Sequence, residues 1–527
     1  MEAHESLGLD GTTPARDSST PPGEGGDRPA SSLRVRVEES WFVADRALLA
    51  AHSDFFRALF RWETAGDGRP DELRLRGGVS ARGFLVMLAV CRGEPVSLRD
   101  PEELWDAVEC AAFLQTEVLT QCLCDLVDSD TCLELYAAAH VFGVRQLFCA
   151  AALHLCDARE DLWEDALAAL PEELLAHARS LSPASFVAVG THTPTAAGTR
   201  DSSFRAVLRL DEEGEGEWRH LTHLPALCST ALAGVAVLHD RLYVVGGVHG
   251  YNKETLDGGF CYDPGADAWS TVPGPTEPRC DFTLLGHQGR LYAVGGRRLA
   301  GGETTAAAEA FDVASGAWSP VRSAPRPVGS AACASARRRM FVCFWRPPDA
   351  TDVYEYASGE DAWTLLTTLR RPQSYGHCMV GHGSRLYVMR NGPGDDFLRC
   401  VMDRYDLATG QWSALPGFYV NSKGALFTAR VRGDSVLTVK SMLTLVYRVT
   451  ERDGWRPRRQ MSGFPEKGGL TAMEKAPCGC SQPTVGAPVG QQEVCEQALL
   501  DRGVPTQVLL VQNHQESVEL CQDLVQH

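Results

Sequence analysis

Between residues 218 and 455, tryptophan recurs at Trp218, Trp269, Trp318, Trp363, Trp412 and Trp455, in steps of 43 to 51 residues. A second marker keeps the same step. Tyr262, Phe311, Tyr356 and Tyr405 each stand seven residues before a tryptophan, in "YDPGADAW", "FDVASGAW", "YASGEDAW" and "YDLATGQW". Apolar runs give a third marker: "RLYVVGG" at Arg241–Gly247 returns as "RLYAVGG" at Arg290–Gly296, with counterparts opening at Met340, Leu386 and Val436. Markers of different composition that share one period define a repeat, and a strand-rich repeat near fifty residues is the unit of a β-propeller. One such sheet cannot bury both of its faces alone, so neighbouring sheets must stack on it, with Trp and Tyr as the large apolar filling. Asp, Gly and Ser supply the turns. The first repeat opens with the degenerate "SFVAVG" at Ser185–Gly190 and ends at Trp218. Its sheet then needs a late strand, "KGGLTAMEKA" after Trp455, to close the ring. "MFVCFW", "LYVMRN" and "VLTVKS" lack the glycine pair, which leaves five or six blades, six being preferred.

The paired glycines raise a question of chemistry, since a Gly-rich turn after a strand can also cradle a phosphate. Gly246-Gly247 and Gly295-Gly296 sit in neither a G-x-G-x-x-G nor a G-x-x-x-x-G-K context. They are read as packing glycines, needed where inner strands crowd toward the axis. No H-E-x-x-H or G-x-S-x-G occurs. His220 and His223 form an isolated H-x-x-H at a blade end, read as surface or packing residues rather than metal ligands. The 18 cysteines contain no C-x-x-C, and the C-x-C pairs Cys122/Cys124 and Cys478/Cys480 lack zinc-ligand spacing, so buried thiols are expected and no cofactor is. The net charge of -18 argues against general nucleic-acid binding. "PALCSTALAGVAVL" at Pro225–Leu238 is too short and too polar to span a bilayer, so no membrane association is expected. The acidic run "DEEGEGEW" reads as a solvated loop.

Residues 1–32 are rich in Gly, Pro, Ser and acidic residues without a basic-then-apolar signal pattern, which predicts a disordered leader on a cytoplasmic protein with reduced thiols. From Leu33 the alternation of Leu33, Val35 and Val37 predicts a strand, and "SWFVA" a second strand in a hairpin. Ser53 is placed to cap a helix carrying Phe55, Phe56, Leu59 and Phe60 on one face. Asp100 caps another, with Pro101 at its first position and Glu102 and Glu103 in its first turn. Helices follow in "DTCLELYAAAHVFGVRQLFCAAALHLC", with Thr131 and Glu134 forming a capping box and Gly143 a break. Pro171 opens one more, and no strand is predicted from Asp128 to Ser182.

"FVADRALLAAHSDFFRALF", "LWDAVECAAFLQTEVLTQCL" and "DTCLELYAAAHVFGVRQL" resemble a BTB domain followed by a BACK domain, and the later repeat resembles kelch. That order resembles the BTB–kelch family. The expected fold is multidomain: an α+β BTB domain at 33–127, an all-α BACK-like domain at 128–182, and an all-β kelch propeller at 183–475. The segment 476–527 is unassigned. Two departures stand out. The aspartate that usually opens the first BTB strand is absent, and the usual Ala-His-Arg reads Ala44-Asp45-Arg46.

The resemblance implies a non-catalytic adaptor of a cullin-3 ubiquitin ligase, in which the BTB unit forms a homodimer and holds cullin-3 while the propeller presents a protein target. It also allows a dimeric scaffold on actin or other cytoskeletal filaments. Kelch-type copper oxidases exist, but this chain lacks a cue for their metal site. Implied cullin contacts are Phe56, Leu59, Phe60, Trp62 and Glu63; Glu63 follows Trp62 directly, so the family's hydrophobic-x-Glu element is shifted or lost. Phe56 also fits the core. Implied partner-binding residues lie on two sets of loops. Loops between inner strands carry His249, Tyr251, Arg297, Arg298, Trp345, Arg346, Asn391 and Asp395. Loops leading into each blade carry Arg279, Asp281, Arg326, Gln373, Tyr375, His377, Asn421 and Lys423. Arg, Tyr and Trp form interface hot spots, and the arginines suit a partner with an acidic segment.

Overall fold

A computed structural model describes residues 32–63, 72–75, 77–158, 167–181, 184–192, 204–212, 214–249, 254–299, 302–346, 349–370, 377–391, 399–415, 419–420, 428–439, 443–450, 454–462 and 469–476. Residues 1–31 and 477–527 lie outside them, while Ser32 and Ala476, expected in the leader and the unassigned tail, belong to strands.

The predicted hairpin forms from β1 (Ser32–Val37) and β2 (Ser40–Asp45), and β3 (Glu72–Leu75) pairs with β1 in parallel. Because strand side chains alternate, Leu33, Val35 and Val37 enter the core while Arg34 faces outward. Two short helices follow, α1 (Arg46–His52) and α2 (Asp54–Glu63). The Asp45 Oδ1 accepts from the Ala47 and Leu48 amides at 2.7 and 3.1 Å, so the departure from Ala-His-Arg supplies an N-cap. Ser53 does the same for α2 and also donates its hydroxyl to the Leu114 carbonyl at 2.6 Å. Next come α3 (Ala81–Cys91) and α4 (Pro101–Phe113), capped by Ser80 and Asp100. They cross closely at Gly83, where a Cβ would lie 2.4 Å from the Asp106 carbonyl oxygen.

The helices α5 (Glu117–Asp125), α6 (Cys132–Val141), α7 (Arg145–Asp157) and α8 (Glu172–Ser180) complete the first half. They share one continuous core with the hairpin, running from Leu33 to Ala178. The expected Thr131–Glu134 capping box is absent. Asp128 Oδ1 takes the Asp130 and Thr131 amides, and Glu134 accepts instead from the Trp105 indole at 2.8 Å. A carboxylate with a half-buried indole donor nearby satisfies that donor rather than reaching back to its own helix terminus.

From Ser185 the chain builds six antiparallel sheets of four or five strands. The hairpin marker has a direct geometric cause. Tyr262 and Trp269, Phe311 and Trp318, Tyr356 and Trp363, and Tyr405 and Trp412 are register partners with ring centroids 4.9 to 5.2 Å apart. Each indole also reaches the blade before it. Trp269 donates to Thr222 Oγ1, Trp318 to the Pro273 carbonyl, Trp363 to the Arg322 carbonyl and Trp412 to Thr367 Oγ1, at 2.8 to 3.2 Å. Trp218 completes the set by donating to Thr444 Oγ1 of the last blade at 3.0 Å. Trp455 is buried between Tyr387 and Tyr447.

The glycine pairs serve the backbone. Gly246 and Gly295 hold φ of 62° and 69°, and the amides of Gly247 and Gly296 donate to the Arg279 and Val328 carbonyls on the loop entering the next blade. A Cβ on Gly295 would sit 2.3 Å from that Val328 oxygen. They bind chain to chain, as packing glycines.

Closure is provided by the late strand Gly469–Ala476, which pairs antiparallel with Ser185–His192 of the first blade. The innermost strands adjoin one another in an unbroken cycle of six. Within the acidic run Glu215 and Glu217 are exposed, as a solvated loop would have them, while Glu212 acts as a clasp. Arg432 bridges both carboxylate oxygens of Glu212 at 2.5 and 2.9 Å, and Arg459 donates to the Glu212 and Gly214 carbonyls. First and last blades are thereby tied by charge as well as by strand pairing.

Candidate partner-docking face

Antiparallel alternation puts the turns between first and second strands at one end of the ring. The loops between second and third strands, and those between blades, fall at the other. At the fourth to sixth blades the first end meets the chain's own helices. In the fourth blade, Arg337 and Arg338 bring positive charge to Asp125 of α5. In the fifth and sixth, His382 bonds to Asp434 at 2.9 Å, and Asp434 meets Ser129, which is itself 3.3 Å from His154 of α7. Gly433 sits against Ala158 just beyond α7. Burial would raise the Asp434 carboxyl. The bonds from His382 and Ser129, with the charges of His382 and His154, outweigh it and hold the group at about 2. The opposite end, here called upper, is the one left for other molecules.

All five of the predicted upper-end arginines have defined duties. Arg279 is 1% exposed and belongs to the framework beneath the face, a correction to the docking expectation. Its guanidinium pairs with Glu309 and donates to the Gly295 and Ala307 carbonyls at 3.2 and 3.1 Å. Burial lowers its basicity and the neighbouring Glu309 charge opposes that. Arg326 holds the equivalent place one repeat later, after Pro325 as Arg279 follows Pro278, and bonds to Asp352 at 2.8 Å. Arg346 reaches the same carboxylate through two bonds of 3.1 Å, and Thr368 adds a third donor at 2.7 Å. Burial would lift the Asp352 carboxyl, but these partners hold it below the usual carboxylate range.

Asp281 is a junction between blades. Its amide donates to the Leu232 carbonyl at 2.8 Å, and its carboxylate accepts from Arg297 at 2.9 Å and from the Ser330 hydroxyl at 2.9 Å. Arg297 also donates to the Gly302 carbonyl. Arg298 forks onto both oxygens of Glu277 at 2.7 and 2.8 Å. Beside Arg297 lies an open hollow of about 490 Å³, completed by Gly302, Glu303, Thr304 and Pro327. Trp345 projects with 44% of its surface exposed.

Sequence reasoning missed Leu227, Leu232 and Leu299, exposed apolar side chains on the same upper loops, and Glu303 at the hollow. Large apolar residues within turn-rich loops were the available signal. His249 lies in the short ladder Val248–His249 with Glu254–Thr255, and His377 and Asn391 lie in strands, with side chains outside the described residues. Tyr251, Gln373, Tyr375, Asp395, Asn421 and Lys423 fall outside them entirely.

On α2, Phe56 and Leu59 are fully buried, which corrects their assignment as contacts: both fill the core beneath the helix. Phe60 is half-buried under the Arg46 guanidinium, 4.9 Å from its ring. The side chains of Trp62 and Glu63, in the last turn, lie outside the described residues. Among the described residues no group of three or more metal-binding side chains occurs, and no helix is long and apolar enough to cross a membrane.

Comparison with known proteins agrees with this architecture. A BTB/POZ domain model matches residues 31–131, and a Kelch motif model matches 229–276 and 278–325. Kelch repeat and BTB domain-containing protein 13 of Homo sapiens is 49% identical over 456 residues, 86% of this chain and 97% of that protein. The chain belongs to the BTB–kelch family. The Mus musculus protein of the same name is 47% identical over 468 residues, 89% of this chain and 99% of its own length. A more distant relative, Kelch-like protein 42 of Mus musculus, is 27% identical over 284 residues, 48% of this chain and 57% of that protein. The two matched Kelch motifs fall on the second and third blades, where both glycine pairs lie.

Proposed function

We propose that this protein is a non-catalytic adaptor of a cullin-3 ubiquitin ligase in the cytoplasm, holding the cullin through a dimeric BTB unit and a target protein on the upper end of the propeller. The observation that carries this reading is the disposition of the two ends of the ring. One end is bonded to the helices that continue the BTB core, and the other offers exposed side chains on rigid loops. Such a body raises the local concentration of target beside a ligase without breaking a bond itself, and a dimer grips a target with two faces.

Titration of the full chain with the N-terminal domain of cullin-3 in a calorimeter tests it. Micromolar or tighter binding is expected. No heat at high concentration, with helicity intact, would replace the ligase role with scaffolding. The second reading, a dimeric scaffold on actin filaments, draws on one feature: Glu63 directly follows Trp62, without the hydrophobic-x-Glu spacing the family uses for the cullin. Co-sedimentation with filaments separates the two.

A further inference from the structure

The chemistry of the upper face points to the kind of segment it accepts; this inference rests on that face being the docking site. The arginines that suggested an acidic partner are already engaged. Arg297 is held by Asp281 and Gly302, Arg298 by Glu277, and Arg326 and Arg346 by Asp352. An acidic segment would have to displace carboxylates already in contact, exchanging like for like, and would add negative charge to a chain of net charge -18. Glu303 differs. It is exposed, lines the hollow beside Arg297, and has no cationic partner among the described residues.

Around that carboxylate the face is apolar. Leu299, on the same loop, is 64% exposed, and its carbonyl accepts the Gly302 amide at 2.9 Å. Leu227 and Leu232 stand on the loop entering the second blade and Trp345 at the top of the fourth, on either side of Leu299 in the third. Asp281 fixes the spacing between these loops by bonding to Leu232, Arg297 and Ser330 together. Large apolar side chains held on a rigid ring, beside the exposed Glu303 carboxylate, fit a segment of matching composition.

We propose that the hollow at Glu303 receives a lysine or arginine of the target, and that bulky apolar residues flanking it settle on Leu299, Leu232 and Trp345. The recognised element is a basic–apolar peptide segment. The basic side chain is fixed by a charge-assisted hydrogen bond to Glu303, and the apolar neighbours supply the desolvated contact.

Selection of a randomised peptide library on the immobilised full chain tests this, followed by fluorescence anisotropy of the enriched peptides. Peptides with Lys or Arg beside Leu, Phe or Trp are expected. Glu303→Lys should weaken them about tenfold, the loss of one charge-assisted contact, and shift enrichment toward acidic sequences. Leu299→Ser and Trp345→Ala should each weaken binding several-fold, with circular dichroism confirming that all three variants fold. Enrichment of acidic peptides whose binding falls with Leu299→Ser would keep the docking face and overturn the basic–apolar assignment. Peptides insensitive to every upper-face substitution, or no enrichment, would overturn the assignment and the face together.

Discussion

Replacing Glu309 by alanine separates a structural role for Arg279 from a docking role. Both side chains are almost fully buried, and Glu309 also accepts the Thr276 amide at 2.7 Å. Its removal strands a guanidinium in the third blade. Three carbonyls, of Glu277, Gly295 and Ala307, remain as partners for the donors, but the directly paired carboxylate is gone and the Glu277 charge alone is left to offset the guanidinium. Breaking a buried pair from one side costs about 3–5 kcal/mol, whereas replacing both members with apolar residues of like volume is close to neutral. Glu309→Ala should therefore lower the propeller's melting temperature by about 10 °C, followed by tryptophan fluorescence. The double change Arg279→Met with Glu309→Leu should recover most of it. A Glu309→Ala variant that melts with the parent, or a double variant less stable than the single one, would refute a framework role for Arg279.

Two further outcomes follow from the same contacts. The carboxyls of Asp434 and Asp352 are depressed in the folded chain, so their stabilisation is complete above their unfolded values near pH 4 and disappears as pH falls through the folded ones. For Asp434 the loss is about 2 kcal/mol between pH 4 and 2, and urea titrations should show Asp434→Asn flattening that slope. Trp318→Phe keeps an aromatic ring packed against Phe311 but deletes the donor to Pro273, and should cost about 1 kcal/mol in the same assay.

The propeller was legible because its markers are local. A tyrosine and a tryptophan seven residues apart are opposite members of one hairpin, and a period in sequence becomes a period in space. The glycine pairs and the late closing strand follow from that period. The duties of individual side chains were less visible. Arg279 and Arg326 look like interface residues by type, yet each follows a proline at the same place in consecutive repeats, and that recurrence marks a framework role. Phe56 and Leu59 share a helical face with Phe60, and only tertiary packing decides which enter the core. Glu212 reaching Arg432, or Ser129 reaching Asp434, joins segments hundreds of residues apart, for which a single sequence holds no pairing signal. Asp45 could have been found from the helix start it caps.

Everything proposed for the upper face requires a closed ring, and closure depends on Gly469–Ala476 pairing with Ser185–His192. Hydrogen exchange on the full chain and on a form ending at residue 468 tests that pairing directly. The backbone amides of Ser185–His192 that pair with the late strand should be protected in the full chain and lose that protection, with the clasp at Glu212, in the shortened one. Equal protection in both forms would contradict a ring closed by its last strand.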